Sequence, residues 1–219
     1  MTTRSTRLVI FAKAPQPGNV KTRLIPLLGA VGAAQLARRM LAHTLAEAVA
    51  ALSIGHIDSV ELCMSPPPGD PAWGDTPIPS CVLRSDQEQG DLGARMARAV
   101  ARVTAAREPQ QPRQQQILLI GTDCPTLTAR HLGEAAWQLQ RHDAVLLPAT
   151  DGGYVLLGLK AHCPPLFTDM AWSTAAVAST TRMRLALSGR SMWQGPTLHD
   201  IDEPTDLHAL PPSLQIGIF

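Results

Sequence analysis

Little in this sequence carries an excess of charge. Nineteen Lys and Arg stand against eighteen Asp and Glu, a formal net charge of +1. That excludes a basic surface of the kind that binds nucleic acid in bulk. Cysteine is sparse and scattered. Cys63, Cys81, Cys124 and Cys163 form no C-x-x-C pair, which argues against both a zinc site and a disulfide framework. The seven histidines show no metal-ligand spacing. No apolar stretch approaches the ~20 residues of a membrane span, and residues 1–7 are polar and lead straight into a strand without a signal-peptide core. No membrane partner and a cytoplasmic location are therefore expected. A G-x-S-x-G elbow is missing, which argues against a serine hydrolase. So is a G-x-G-x-x-G after Phe11, which argues against a dinucleotide-binding Rossmann unit. Cys124 has no base near it in sequence and sits beside a carboxylate that would raise its pKa, so it is not expected to be a nucleophile.

What is present is an alternation of strands and helices. With 45% hydrophobic residues in 219, the chain has enough material for one sizeable core, and residues 1–219 are expected to form a single domain. Apolar runs at residues 8–11, 60–64, 117–120, 145–148 and 154–159 predict strands, with a further short strand at 81–83. The run at 117–120 is apolar throughout and predicts a central strand covered on both faces. Helical spacing of Leu36, Met40, Leu41, Leu45 and Val49 predicts a helix over 33–52, and further helices are expected over 92–103 and 132–139. Ser173 is expected to cap a helix that Gly189 ends. The Pro- and Gly-rich stretch 65–80 reads as a surface loop, and the polar stretch 108–116 as a mobile connector. The pattern predicts an α/β fold, a three-layer αβα domain with a mostly parallel central sheet.

Four polar clusters follow predicted strands, and ligands of open α/β sheets sit beyond the carboxyl ends of strands. The first, residues 13–23, holds Lys13, Lys21 and Arg23 on a loop shaped by Pro15, Pro17 and Gly18. It lacks the glycines of a Walker A motif. Its preset cations suit a phosphorylated ligand. The second places Asp123 just past the central strand, where a carboxylate can hold a hard cation if another stands nearby, since Mg²⁺ takes one or two carboxylates plus phosphate oxygens. Asp151, Asp200 and Asp202 are the candidates. Asp151 opens the third cluster, whose Gly152 and Gly153 allow either a plain turn or close approach to a ligand. Residues 90–96, with Gly90 and Gly93, open a helix whose free N–H groups could hold an anion.

Five motifs then stand in order between Leu8 and Leu207: Phe-Ala-Lys-Ala-Pro-x-Pro-Gly-x-Val-Lys-Thr-Arg-Leu from Phe11, Gly-Asp-Leu-Gly-x-Arg-Met from Gly90, Gly-Thr-Asp-Cys-Pro from Gly121, Asp-Gly-Gly-Tyr from Asp151 and Trp-Ser-Thr from Trp172. Together they resemble the rSAM/selenodomain-associated transferase 1 family, which is glycosyltransferase-like. The resemblance implies the GT-A fold of the nucleotide-diphospho-sugar transferase superfamily. It implies that Lys13, Lys21 and Arg23 bind a nucleotide's phosphates, and Gly18, Gly90 and Gly93 are expected to take part in the same binding. It also implies that Asp123 binds the metal, and that Asp202, in Asp-Glu-Pro-Thr-Asp-Leu, is a second ligand. The loop's Lys-Thr-Arg-Leu is similar to phospholactate guanylyltransferase, whereas Thr-Asp-Cys is not the Asp-x-Asp of many glycosyltransferases.

The sequence thus predicts a transferase that uses Mg²⁺ (or Mn²⁺), a nucleotide and a small-molecule acceptor. Lys21 and Asp123 are the expected catalytic residues. Three cations suit a leaving triphosphate tail, so the expected reaction is nucleotidyl transfer from an NTP to a phosphorylated acceptor. The alternatives are glycosyl transfer from an NDP-sugar and a non-catalytic nucleotide-binding protein. Asp151, Gly152, Gly153, Tyr154, Trp172, Ser173 and Thr174 are expected on the acceptor side. For Trp172 a core position and for Ser173 a helix cap are competing readings.

Overall fold

A computed structural model describes residues 4–105 and 114–215. Its elements, in order, are β1 (Ser5–Lys13), α1 (Ile25–Ser53), β2 (Ser59–Ser65), β3 (Val82–Asp86), α2 (Leu92–Ala105), β4 (Gln115–Ile120), α3 (Ala129–Leu139), β5 (Ala144–Pro148), β6 (Tyr154–Leu159), α4 (Val177–Leu187), β7 (Met192–Gln194) and α5 (Pro212–Gln215). The strands form one seven-stranded sheet in the order β3-β2-β1-β4-β6-β5-β7. Neighbours pair in parallel except β6, which runs against both β4 and β5.

Alternation along the strands sorts the core into two layers. Leu8 and Ile10 of β1 and Leu118 and Ile120 of β4 pack with Leu41, Leu45 and Ala48 of α1 and Leu132 and Leu139 of α3. Val9, Ile117 and Leu119 point the other way, onto Met96, Val100 and Val103 of α2 and Ala178 and Leu185 of α4. Both faces of the sheet are covered, which is why β4 reads as an unbroken apolar run. A third cluster joins Leu24, Leu36 and Met40 to Ile201, Leu207, Leu210 and Leu214. Fully burying each of these aliphatic side chains contributes about 1.5–3 kcal/mol.

Several expectations change. Helix α1 begins at Ile25 rather than at 33, crossing a kink at Gly29 (φ 69°, ψ 165°) that breaks the helical spacing. With the preceding turn it is long and apolar enough to cross a membrane by composition and length, although no single run is. Here its apolar face, including Leu36, Met40, Leu41 and Leu45, lies in the core. Helix α4 starts at Val177, and Ser173 lies outside it in a left-handed conformation (φ 61°), so it is no cap. Gly189, at φ 64°, does follow the helix end. Much of the stretch 108–116 lies outside the described residues, but its last two residues are not connector. Gln115 and Gln116 begin β4 and are buried. The Gln116 Nε2 group donates to Thr6 Oγ1 at 2.9 Å, which pairs the nitrogen end of this buried side chain inside the sheet.

Candidate functional site

The carboxyl ends of the parallel strands and the start of antiparallel β6 meet at one edge. Just past β1 the chain makes a one-turn 3-10 helix, Thr22–Leu24, and Leu24 is fully buried in the third core cluster. That anchor holds Lys21, itself left-handed at φ 47°, with its side chain turned inward and only 6% exposed.

The Lys21 ammonium lies 2.5 Å from Asp123 Oδ1 and 2.9 Å from Asp202 Oδ1. It also donates to the Ile201 carbonyl at 2.5 Å. Burial works against this charge. The two carboxylates, by charge and by hydrogen bonding, outweigh it and hold the Lys21 pKa above its ordinary value. Asp123 is presented because β4 ends at Ile120 and the following Cys124 and Leu127 turn into the core. Asp202 is brought in by Ile201, which is fully buried and whose N–H donates to the Asp123 carbonyl at 2.8 Å.

Around this cluster is a crevice of about 470 Å³ lined by Lys13, Lys21, Arg23, Asp123, Asp151 and Asp202, with Asn19, Thr22, Gln87 and Thr122 between them. All three cations of the first loop thus share one crevice with both predicted metal-binding carboxylates. Gly18, at φ 83°, is exposed and outside this lining. The region of Gly90 and Gly93 is less open to an anion than expected. The Ala94 N–H at the start of α2 already donates to the Asp91 carboxylate at 2.8 Å. Gly93 is buried, and a Cβ there would stand 2.5 Å from the Phe167 carbonyl and 2.8 Å from Trp172 Nε1. It is therefore a packing position.

A second cavity, about 210 Å³, adjoins the first. It is lined by Phe11, Leu92, Met96, Tyr154, Trp172 and Val177, with Asp151, Gly153, Ser173 and Thr174 at polar positions. Phe11, Leu92, Asp151 and Ser173 line both cavities. The Asp151 turn is fixed by its own carboxylate, which accepts from the Gly153 N–H at 2.7 Å. Gly152 stands behind it at φ 89°, where a Cβ would come within 2.3 Å of the Ala175 carbonyl. The Tyr154 hydroxyl faces the Met96 sulfur at 4.0 Å, and burial raises its pKa. Trp172 is half-buried, part wall and part core. Asp200, which feels the charges of Asp151, Asp202 and Asp123, is pushed up to about 6 by burial and by those three carboxylates.

The donor chemistry fits a hard cation only in part. Two carboxylates converge on one point, a number that suits Mg²⁺, and Lys21 holds that point. Among the described residues no group of three or more His, Cys, Asp or Glu is arranged to hold a metal, so further ligands would be oxygens of a bound substrate. Sequence reasoning missed the apolar residues Phe11, Leu92 and Met96 and the polar Gln87. Gln87 carried no readable sign, because the strand predicted over 81–83 runs on to Asp86 in the structure. It is buried, donating to the Ala12 and Cys63 carbonyls at 3.0 and 2.9 Å.

The DUF2064 family, described as an uncharacterized protein conserved in bacteria, matches residues 44–174, more than half of the chain. The chain belongs to that family. Among solved structures it is similar to a protein of Desulfovibrio desulfuricans G20 provisionally named a nucleotide-diphospho-sugar transferase. The two share 28% identity and a TM-score of 0.81, over 98% of this chain and 89% of that one. The fold also matches CMP:2-keto-3-deoxy-manno-octonic acid synthetase complexed with CTP (11% identity, TM-score 0.55, 94% and 96% covered). A third match is the 4-diphosphocytidyl-2C-methyl-D-erythritol synthase of Anaerococcus prevotii DSM 20548 (12% identity, TM-score 0.56, 97% of each chain). No curated protein matches the sequence. The fold of this DUF2064 protein is that of nucleotide-diphospho-sugar transferases and cytidylyltransferases.

Proposed function

We propose that this protein is a nucleotide-dependent transferase that moves a nucleotidyl group from an NTP to an acceptor oxygen. The observation that carries this is the sharing of one crevice by Lys13, Lys21, Arg23, Asp123 and Asp202. Three cations match the charge of a triphosphate better than that of a diphosphate, and charge-assisted contacts to phosphate are the strong ones. The acceptor oxygen forms a bond to the α-phosphorus, the bond from that phosphorus to the β-bridging oxygen breaks, and pyrophosphate leaves. Catalysis is positioning and charge neutralisation. Lys21 is the group whose ammonium can pass from the carboxylates to the phosphates. Asp123 and Asp202 would hold Mg²⁺ or Mn²⁺, which when bound neutralises phosphate charge. Gly18 and Gly90 give the flanking loops their left-handed turns, at φ 83° and 110°.

Within the family, the five ordered motifs support membership of the rSAM/selenodomain-associated transferase 1 group. The motif residues Lys13, Lys21, Arg23, Asp123, Asp151 and Ser173 all line the crevice. A cytoplasmic setting belongs to the same proposal and is supported by the use of α1's apolar face in the core. Glycosyl transfer from an NDP-sugar is the second reading, favoured by the similarity to the D. desulfuricans protein. One experiment separates the two: calorimetric titration of the protein with the four common NTPs and with NDP-sugars, each with Mg²⁺. Nucleotidyl transfer requires that an NTP bind more tightly than the matching NDP. The reverse order, with the NDP-sugar tightest, would hand the assignment to glycosyl transfer.

A further inference from the structure

The smaller cavity has a composition that speaks to the acceptor. Its walls are Phe11, Leu92, Met96, Tyr154, Trp172 and Val177, and among the described residues lining it there is no Lys, Arg or His. Its one carboxylate, Asp151, stands where it opens into the polar crevice, since that residue lines both. Every cation of the first loop lies on the other side of that opening. An anionic ligand entering here would give up its hydration, find no positive partner and meet the Asp151 carboxylate. The Tyr154 hydroxyl has only the weak acceptor Met96 Sδ, at 4.0 Å among the described residues, so a donor stands beside the cavity without a good partner. A dry apolar cavity of about 150 Å³ holds benzene. One of about 210 Å³ admits a larger ring system or a branched aliphatic body.

We infer that this cavity holds the body of the acceptor, and that the acceptor is an uncharged, largely apolar alcohol rather than a phosphate ester. This rests on the transferase reading above and replaces the phosphorylated acceptor expected from sequence. The hydroxyl lies at the opening beside Asp151. Its oxygen bonds to the α-phosphorus and its proton passes to the Asp151 carboxylate. The bond to the β-bridging oxygen breaks, and its electron pair leaves with pyrophosphate. Tyr154 and the wall residues position the body and do not touch the reacting atoms.

The test uses the full chain with Mg²⁺, 2-naphthol and 2-naphthyl phosphate as probes, and tryptophan fluorescence and calorimetry as readouts. The naphthol should bind at least tenfold tighter than its phosphate, with or without a saturating NTP, and should quench Trp172. Leu92→Asp places a second carboxylate in the cavity at a residue 45% exposed, where folding tolerates it. It should weaken naphthol binding at least tenfold, with circular dichroism confirming the fold. The inference is overturned if the phosphate binds as tightly, or if Leu92→Asp leaves naphthol binding unchanged. It is also overturned if an NTP displaces the naphthol, because the cavity would then be the base pocket. NTP binding without naphthol binding sinks the acceptor inference alone. Naphthol binding without any nucleotide binding sinks the transferase reading and leaves the cavity's ligand class standing.

Discussion

Lys21→Met keeps most of the side-chain stem and removes the charge that Asp123 and Asp202 share. Two charge-assisted hydrogen bonds, at 2.5 and 2.9 Å, would each be worth about 1.5–3 kcal/mol if they were dry. They are not dry at both ends, since the Asp123 and Asp202 side chains are 48% and 39% exposed. Water resolvates them in the variant and screens the wild-type pair. Removing the buried ammonium also recovers its desolvation cost. The expected net loss is therefore about 1–2 kcal/mol, or roughly 2–8 °C in Tm for a domain of this size. The informative part is what Mg²⁺ does next. With the ammonium gone, the point where the two carboxylates converge is open to a divalent cation, so Mg²⁺ should raise the Tm of the variant more than that of the wild type. At ten times its Kd the gain is about 1.4 kcal/mol. Affinity for NTP should meanwhile fall roughly ten- to 150-fold, the equivalent of one charge-assisted contact, and NDP affinity much less. Differential scanning fluorimetry over a Mg²⁺ series, with calorimetry of both nucleotides, reads all three effects. If Mg²⁺ stabilises both proteins equally, the two carboxylates are not a cation site. Equal losses for NTP and NDP would mean that Lys21 does not meet the terminal phosphates.

Asp123→Asn should abolish turnover while leaving far-UV circular dichroism unchanged, and Asp202→Asn should act likewise but less completely; full Mg²⁺-dependent activity in the first variant would end the metal assignment. Glu61, 2% exposed, accepts from Ser85 at 2.6 Å and pairs with Arg102 and Arg7 at 2.5 and 3.3 Å; burial raises its pKa, but Arg102, Ser85 and Arg7 outweigh this and hold it below the usual value. Its contribution is thus complete above about pH 4.3 and lost as pH falls through the lowered folded value. Glu61→Gln should cost about 1–3 kcal/mol at pH 7 and flatten the acid limb of a urea-unfolding series. Gly152→Ala adds a Cβ 2.3 Å from the Ala175 carbonyl at φ 89°. Backbone strain alone costs about 1–3 kcal/mol, so thermal unfolding should come roughly 2–12 °C earlier, and an unchanged Tm would contradict the packing described for that turn.

How much of this could be read from sequence depended on whether the signal was local. Strand β4 was legible at residues 117–120 because both its faces are apolar, but its first two residues were not. Gln115 and Gln116 look like connector until Thr6, on a different strand, is seen to receive the Gln116 amide. The kink at Gly29 hid the first two turns of α1 because it interrupts the spacing that reveals a helix. The family resemblance anticipated that Lys21, Asp123 and Asp202 belong together. It could not show that the lysine lies between the carboxylates, since the partners are 181 positions apart at most and are joined through buried Leu24 and Ile201. The smaller cavity was the least legible part. Phe11, Leu92 and Met96 are indistinguishable in sequence from core residues, and only the fold shows which side of each one is open.

Both cavities are built on one unbroken sheet. Strands β1 and β4 pair over six registered positions, and β4 continues through β6 into β5. A crevice rooted this way cannot shut like a jaw, because its floor is a single hydrogen-bonded surface. Water exclusion then falls to the segments that line it beyond the strands, residues 13–23 and 173 among them, and to bound ligands. For the transferase proposed above, the expected kinetic consequence is quick loading with poor exclusion of water. In the absence of acceptor it should slowly spend its donor on water, and the ratio of hydrolysis to transfer would measure how well the second substrate seals the site.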